Sequence, residues 1–238
     1  TGTLLWELLL TYCRAICNGG TFGGKSARAL YRNSMLYCVP LVNPDGADLV
    51  AGEIPEASPE YVQAAAIAAV FPQIPFPDGW KANLRGVDLN LNYPASWELA
   101  KEIKGSLGFD RAAPRDFPGK KPLDQRETAA LAAYTACIRP DILLAYHTQG
   151  RVIYPGGRDI DPPGAKNLAE QFSEASGYAV EDVPPESSNA GFKDWFLRRF
   201  HRPGFTIEAG LGENPLPLSQ LPQLIRENEP LLAAALAD

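Results

Sequence analysis

The chain has 238 residues, 45% of them hydrophobic and 21% charged, the make-up of one sizeable globular domain and too little for two comfortable ones. A net charge of −6 leaves no surplus of Lys and Arg for a polyphosphate, which argues against a nucleic-acid partner. No apolar run is long enough to span a membrane. The four cysteines, at 13, 17, 38 and 137, form neither a CxxC pair nor a compact framework, so reduced and mostly buried thiols are expected.

The sequence opens in mid-pattern at TGTLLWELLLTYC, without an initiator Met or a basic leader, and reads as a fragment. Leu4, Leu5, Leu8, Leu9, Tyr12 and Ile16 make a helical stripe over Thr3 to Cys17, which Asn18, Gly19 and Gly20 end. Gly19 to Ser26 then matches the Walker A pattern, whose mechanism requires a strand before the loop and a helix after it. The preceding segment is helical, so the loop reads as a Gly-rich connection, with nucleotide binding through Lys25 and Ser26 as the alternative. Met35 to Val42 predicts a buried strand closed by an Asn43-Pro44-Asp45-Gly46 turn. Ser58-Pro59-Glu60 predicts the start of a helix running to about Phe71.

Trp80 to Glu98 packs Lys81, Asn83, Arg85, Asp88, Asn90 and Asn92 into one short stretch. With Val87, Leu89 and Leu91 alternating between them and Gly86 at a turn, it reads as a short strand leading into a site. Lys104 to Pro122, rich in proline and charge, is the candidate mobile surface segment. Asp124 to Glu127 has capping-box spacing and opens a helix to about Ile138. Strands are expected at Asp141 to Tyr146, Val152 to Tyr154 and Phe205 to Ala209. Helices are expected at Lys166 to Ser176, stopped by Gly177, at Phe192 to Phe200, and within Leu218 to Ala237. That alternation argues for an α/β fold, a central mixed sheet flanked by helices on both faces.

Two residues carry the chemistry. His147 follows a strand and precedes Thr148-Gln149-Gly150, the place where open α/β sheets bind ligands. Glu208 ends the apolar FTIE strand, where desolvation suits a carboxylate to general-base work on a water. His201, in LRRFHRP, reads as a surface residue. There is no GxSxG elbow, so nucleophilic catalysis by serine has no anchor.

NPDG after a strand, then GVDLN followed by Asn92, a strand ending in His147, the GFKDW helix and FTIE together resemble the zinc metallocarboxypeptidase family in order and spacing. GVDLNLNYPASWE preceded by WKANLR is similar to its bacterial branch of γ-D-glutamyl-L-diamino acid endopeptidases, which cut peptidoglycan stem peptides. The resemblance implies that His147 is a zinc ligand and Glu208 the general base and acid acting on zinc-bound water. It implies that Asp88 orients a zinc-ligating histidine from behind and that Asn90 binds a substrate carboxylate. Lys81 aligns nearest to the arginine that polarises the scissile carbonyl, with Arg85 close by as the alternative. Leu91 stands where true carboxypeptidases carry an arginine, which removes the fork for a free C-terminal carboxylate and points to an endopeptidase.

The family's His-x-x-Glu pair, source of the first two zinc ligands, is absent from the chain, as are the strands that precede it. The resemblance therefore implies an N-terminally truncated, zinc-poor and inactive polypeptide with exposed sheet edges. Glu186 occupies the place where many carboxypeptidases have a tyrosine. Two further readings remain open: a non-catalytic module that binds stem peptides, and a deacylase of small amino acids on the same fold.

Overall fold

A computed structural model describes residues 1–157, 159–184 and 189–238. The elements follow as α1 (Gly2–Asn18), the short strands β1 (Thr21–Phe22) and β2 (Lys25–Ser26), α2 (Ala27–Asn33), α3 (Pro44–Ala51), α4 (Pro59–Ala68), α5 (Trp97–Ser106) and α6 (Arg126–Ile138). They continue as β3 (Leu143–His147), β4 (Val152–Pro155), α7 (Ala165–Ser176), β5 (Ala179–Val180), α8 (Phe192–Phe200), β6 (Gly204–Glu208) and α9 (Leu221–Ala235). The chain gathers into two compact units, the first from Thr1–Leu41, Asp141–Val183 and Arg202–Asp238, the second from Val42–Pro140 and Pro184–His201.

In the first unit α1 buries Leu4, Leu8 and Tyr12, the stripe its periodicity predicts, and Gly19 closes it in the left-handed conformation. The Gly-rich segment that follows is a hairpin of β1 and β2. Its tip lies against α9, where the Gly23 N–H donates to Glu229 Oε1 at 2.8 Å. A Cβ at Gly23 would come within 2.6 to 2.8 Å of Ala233 Cβ, Glu229 O and Pro230 Cα, and φ there is +54°. Close packing thus explains this glycine, and an amide that a phosphate would need already faces a carboxylate.

The four-stranded sheet has the order β3-β6-β4-β5. β3 runs parallel to β6, β4 antiparallel to β6, and β5 parallel to β4. Ile153, Phe205 and Ile207 point into a core shared with Leu4 and Leu8 of α1, Phe172 of α7 and Leu231 of α9. This is the mixed sheet flanked by helices that the alternation of elements predicts. β5, two residues long, is too short to carry a period-2 signal.

The buried strand expected over Met35 to Val42 does not form. The segment follows an extended path with Leu36, Cys38 and Pro40 partly covered, and Met35, Tyr37, Val39 and Leu41 exposed. An apolar, β-branched sequence makes a strand only when a neighbour takes its backbone groups, and no described strand pairs with this one.

In the second unit the NPDG signal starts α3 instead of turning a strand: Asn43 Oδ1 accepts from the Gly46 N–H at 3.1 Å and Pro44 takes the first turn. Ser58 caps α4 as expected, by accepting from the Tyr61 N–H. The expected capping box at Asp124 is replaced by Gln125 at the N-cap position without a side-chain bond. Asp124 is spent on the preceding loop, accepting from the N–H groups of Lys120 and Lys121 and from Asn92 Nδ2. Lys104 to Pro122 is a packed connection in place of the mobile segment expected. Phe117 and Ala113 are buried with Phe71 and Val87, and Asp116 is held by Lys104 at 2.6 Å. The cysteines are free, as expected, but Cys13, Cys17 and Cys137 are exposed and only Cys38 is partly covered.

Candidate functional site

The register of the first unit's sheet lays out two rows of residues. His147 pairs with Glu208, Glu208 with Val152, and Val152 with Ala179. One row back, Ala145 pairs with Thr206 and Thr206 with Tyr154. Because side chains alternate along a strand, both rows share the face opposite Ile153, Phe205 and Ile207. His147, Glu208, Thr206 and Tyr154 are all half-buried there. The two residues with the strongest chemical signal in the sequence are therefore direct neighbours on adjacent strands.

The loop leaving His147 is tied down on both sides. The Ala209 N–H donates to His147 O at 2.9 Å and the Gly150 N–H to Gly210 O at 2.8 Å. Gly150 has φ +151° and brings its Cα close beside Glu208, where a Cβ would lie 3.5 Å from that residue's own. Arg151 then pairs with Glu227 of α9 at 2.9 Å, and the Tyr178 hydroxyl donates to the same carboxylate at 3.0 Å. Asn228 Nδ2 donates to the Tyr178 oxygen at 2.9 Å, completing a chain of polar contacts behind the loop.

In the second unit the polar stretch is irregular from Trp80 to Ser96, with a 3-10 turn at Leu89–Leu91 in place of the short strand expected, and α5 begins at Trp97. Asn83 and Asn92 are buried and serve as hubs. Asn83 Oδ1 accepts from the N–H groups of Arg85 and Val87, while its amide nitrogen donates to Gln125 and Glu127. Asp88, also buried, accepts from the N–H groups of Asn90 and Asp116 and pairs with Lys81 Nζ, each at 3.2 Å. Among the described residues those are the partners of its carboxylate, and none is a histidine. Asn90 Oδ1 accepts from the Phe192 N–H at 3.1 Å, so the end of this amide left for a ligand is its donor end. Leu91 is half-buried on the 3-10 turn, and Arg85 is exposed and in no ion pair among the described residues. Glu186 lies outside the described residues.

Sequence reasoning passed over two residues. Lys193, in the first turn of α8 next to Phe192, is buried to 5% exposure, and burial lowers its ammonium to about 8 despite the neighbouring Asp194. The signal was present in FKDWF, where a lysine stands among aromatics. Tyr154 was hidden because an apolar strand ending in Tyr-Pro reads only as a strand.

The Peptidase M14 zinc carboxypeptidase family model matches residues 3–230. The chain belongs to the zinc carboxypeptidase family. Within it, the chain is 40% identical over 95% of its length to γ-D-glutamyl-L-diamino acid endopeptidase 1 of Lysinibacillus sphaericus. It is 36% identical over 99% of its length to the uncharacterized protein YqgT of Bacillus subtilis (strain 168). It spans 55% and 61% of those two relatives. The fold is similar to that of carboxypeptidase A from Helicoverpa armigera, with a TM-score of 0.56 at 18% identity over 84% of this chain and 51% of that one.

A catalytic zinc of this class takes three protein ligands. Among the described residues no three His, Cys, Asp or Glu side chains converge. The only other histidine, His201, is exposed at the end of α8. The donors of this chain by themselves therefore do not make the zinc site that the family's name implies.

Proposed function

We propose that residues 1–238 serve as the catalytic domain of a hydrolase that cleaves an amide bond in bacterial cell-wall stem peptides, at a γ-D-glutamyl to diamino acid linkage. The observation that carries this reading is the 40% identity, over 95% of the chain, to a relative named for that bond. The pairing of Glu208 with His147 supports it, since a half-buried carboxylate at a strand end can take a proton from the attacking water and pass it to the leaving amine. Asn90, with its donor end available, binds a substrate carboxylate. Arg85 stabilises the oxyanion in preference to Lys81, because the ammonium of Lys81 is committed to Asp88. Leu91 offers no fork for a free C-terminal carboxylate, which favours internal cleavage.

The test is hydrolysis of L-alanyl-γ-D-glutamyl-diaminopimelate by the natural protein that contains this chain. The expected result is release of the diaminopimelate product, with kcat reduced about 10²- to 10⁴-fold by Glu208→Gln. Cleavage of acyl-amino acids or of ordinary C-terminal residues, with the stem peptide left intact, overturns the reading.

A further inference from the structure

Tyr154 stands one strand and one row away from Glu208 on the same face of the sheet: Val152 pairs with Glu208, and Tyr154 with Thr206. Diagonal neighbours in a sheet are about 7–8 Å apart at the backbone, within reach of an aromatic side chain. The ring is half-buried but is no part of the hydrophobic core on the opposite face. Its hydroxyl makes no hydrogen bond to any described residue. This sets it apart from Tyr178, in the same unit, whose hydroxyl both donates and accepts. A phenol whose donor no described residue takes, beside a site carboxylate, can offer that donor to a ligand. We propose that Tyr154 is a substrate-binding residue of the Glu208 face, its hydroxyl donating a hydrogen bond to an oxygen of the bound peptide.

The surroundings favour the donor form. Burial first, then the carboxylates of Glu181 and Glu208, hold the phenol above its ordinary range, so it remains protonated at neutral and mildly alkaline pH. The same two carboxylates repel anions, which makes a neutral peptide carbonyl a better acceptor than a carboxylate.

The inference rests on the stem-peptide reading, and the experiment separates the two. Tyr154→Phe removes one oxygen and keeps the ring. In the natural protein it is expected to raise KM for the stem tripeptide about tenfold, with kcat changed less than threefold and the melting temperature unchanged. In a Glu208→Gln background, calorimetric binding of the same tripeptide is expected to weaken by a similar factor when Tyr154→Phe is added. Wild-type cleavage with an unchanged KM in Tyr154→Phe, or a lower melting temperature as the sole effect, overturns the role of Tyr154 and leaves the functional reading standing. If the wild type neither cleaves nor binds the tripeptide, the functional reading fails and this inference with it.

Discussion

Lys193 is the residue whose protonation the fold resists most openly. Its folded pKa, lowered to about 8 from the ordinary 10.5 by burial, means that the unfolded chain holds this proton more tightly than the folded one. Stability contributed by this group is present above the unfolded value and lost as pH falls through the folded one, so it should rise with pH between about 8 and 10. Cys38 and the tyrosines Tyr93, Tyr146 and Tyr178, all raised by burial, act in the opposite direction at the alkaline end. The comparison that isolates the lysine is therefore wild type against Lys193→Met in urea unfolding. The wild type should gain roughly 2–3 kcal/mol on the variant from pH 7 to pH 10; parallel curves would refute the shift. Asn92 makes a second residue-level case. Its amide nitrogen is shared by Pro118 O, Lys121 O and Asp124 Oδ1, and its oxygen accepts from Thr128 Oγ1 at 2.7 Å. Asn92→Ala would leave the buried Pro118 carbonyl and Thr128 hydroxyl without this partner, and an unfolding free energy lower by roughly 3 kcal/mol is expected from denaturant titration.

At the scale of elements, the β1–β2 hairpin and α9 fit through one missing side chain. Gly23→Ala would force a methyl into backbone atoms of Glu229 and Pro230 at a positive φ, so its melting temperature should drop by several degrees, whereas Lys25→Ala, on the exposed strand β2, should leave it unchanged. Elements ended by local chemistry were legible in the sequence. α8 spans Phe192–Phe200 as predicted, and glycines stop α1 and α7 where expected. The failures came where identical letters satisfy two structures. Asn-Pro-Asp-Gly suits a turn and a capped helix equally, and the contact of Asn43 Nδ2 with Ala82 O, at 2.9 Å, lies far along the chain. The site divides in the same way. His147 and Glu208 were readable as strand ends, but their adjacency, and Tyr154 beside them, depend on a register that no local pattern encodes.

Across the whole chain, the fold outlasts the identity of residues: the family match covers residues 3–230, while the carboxypeptidase A of similar fold shares 18% of positions. The acidic balance argues against a nucleic-acid partner without indicating what is bound, because recognition lies in a few placed groups and not in net charge. The extended segment from Met35 to Leu41 adds a consequence for handling. It carries no charged side chain, and its apolar residues alternate outward, with Met35 72% exposed. Such a segment is prepared to stack against its like as protein concentration rises. Within it, Pro40 is the residue that interrupts a continuous row of amide donors. Pro40→Val is therefore expected to lower the concentration at which this polypeptide aggregates, as read by light scattering.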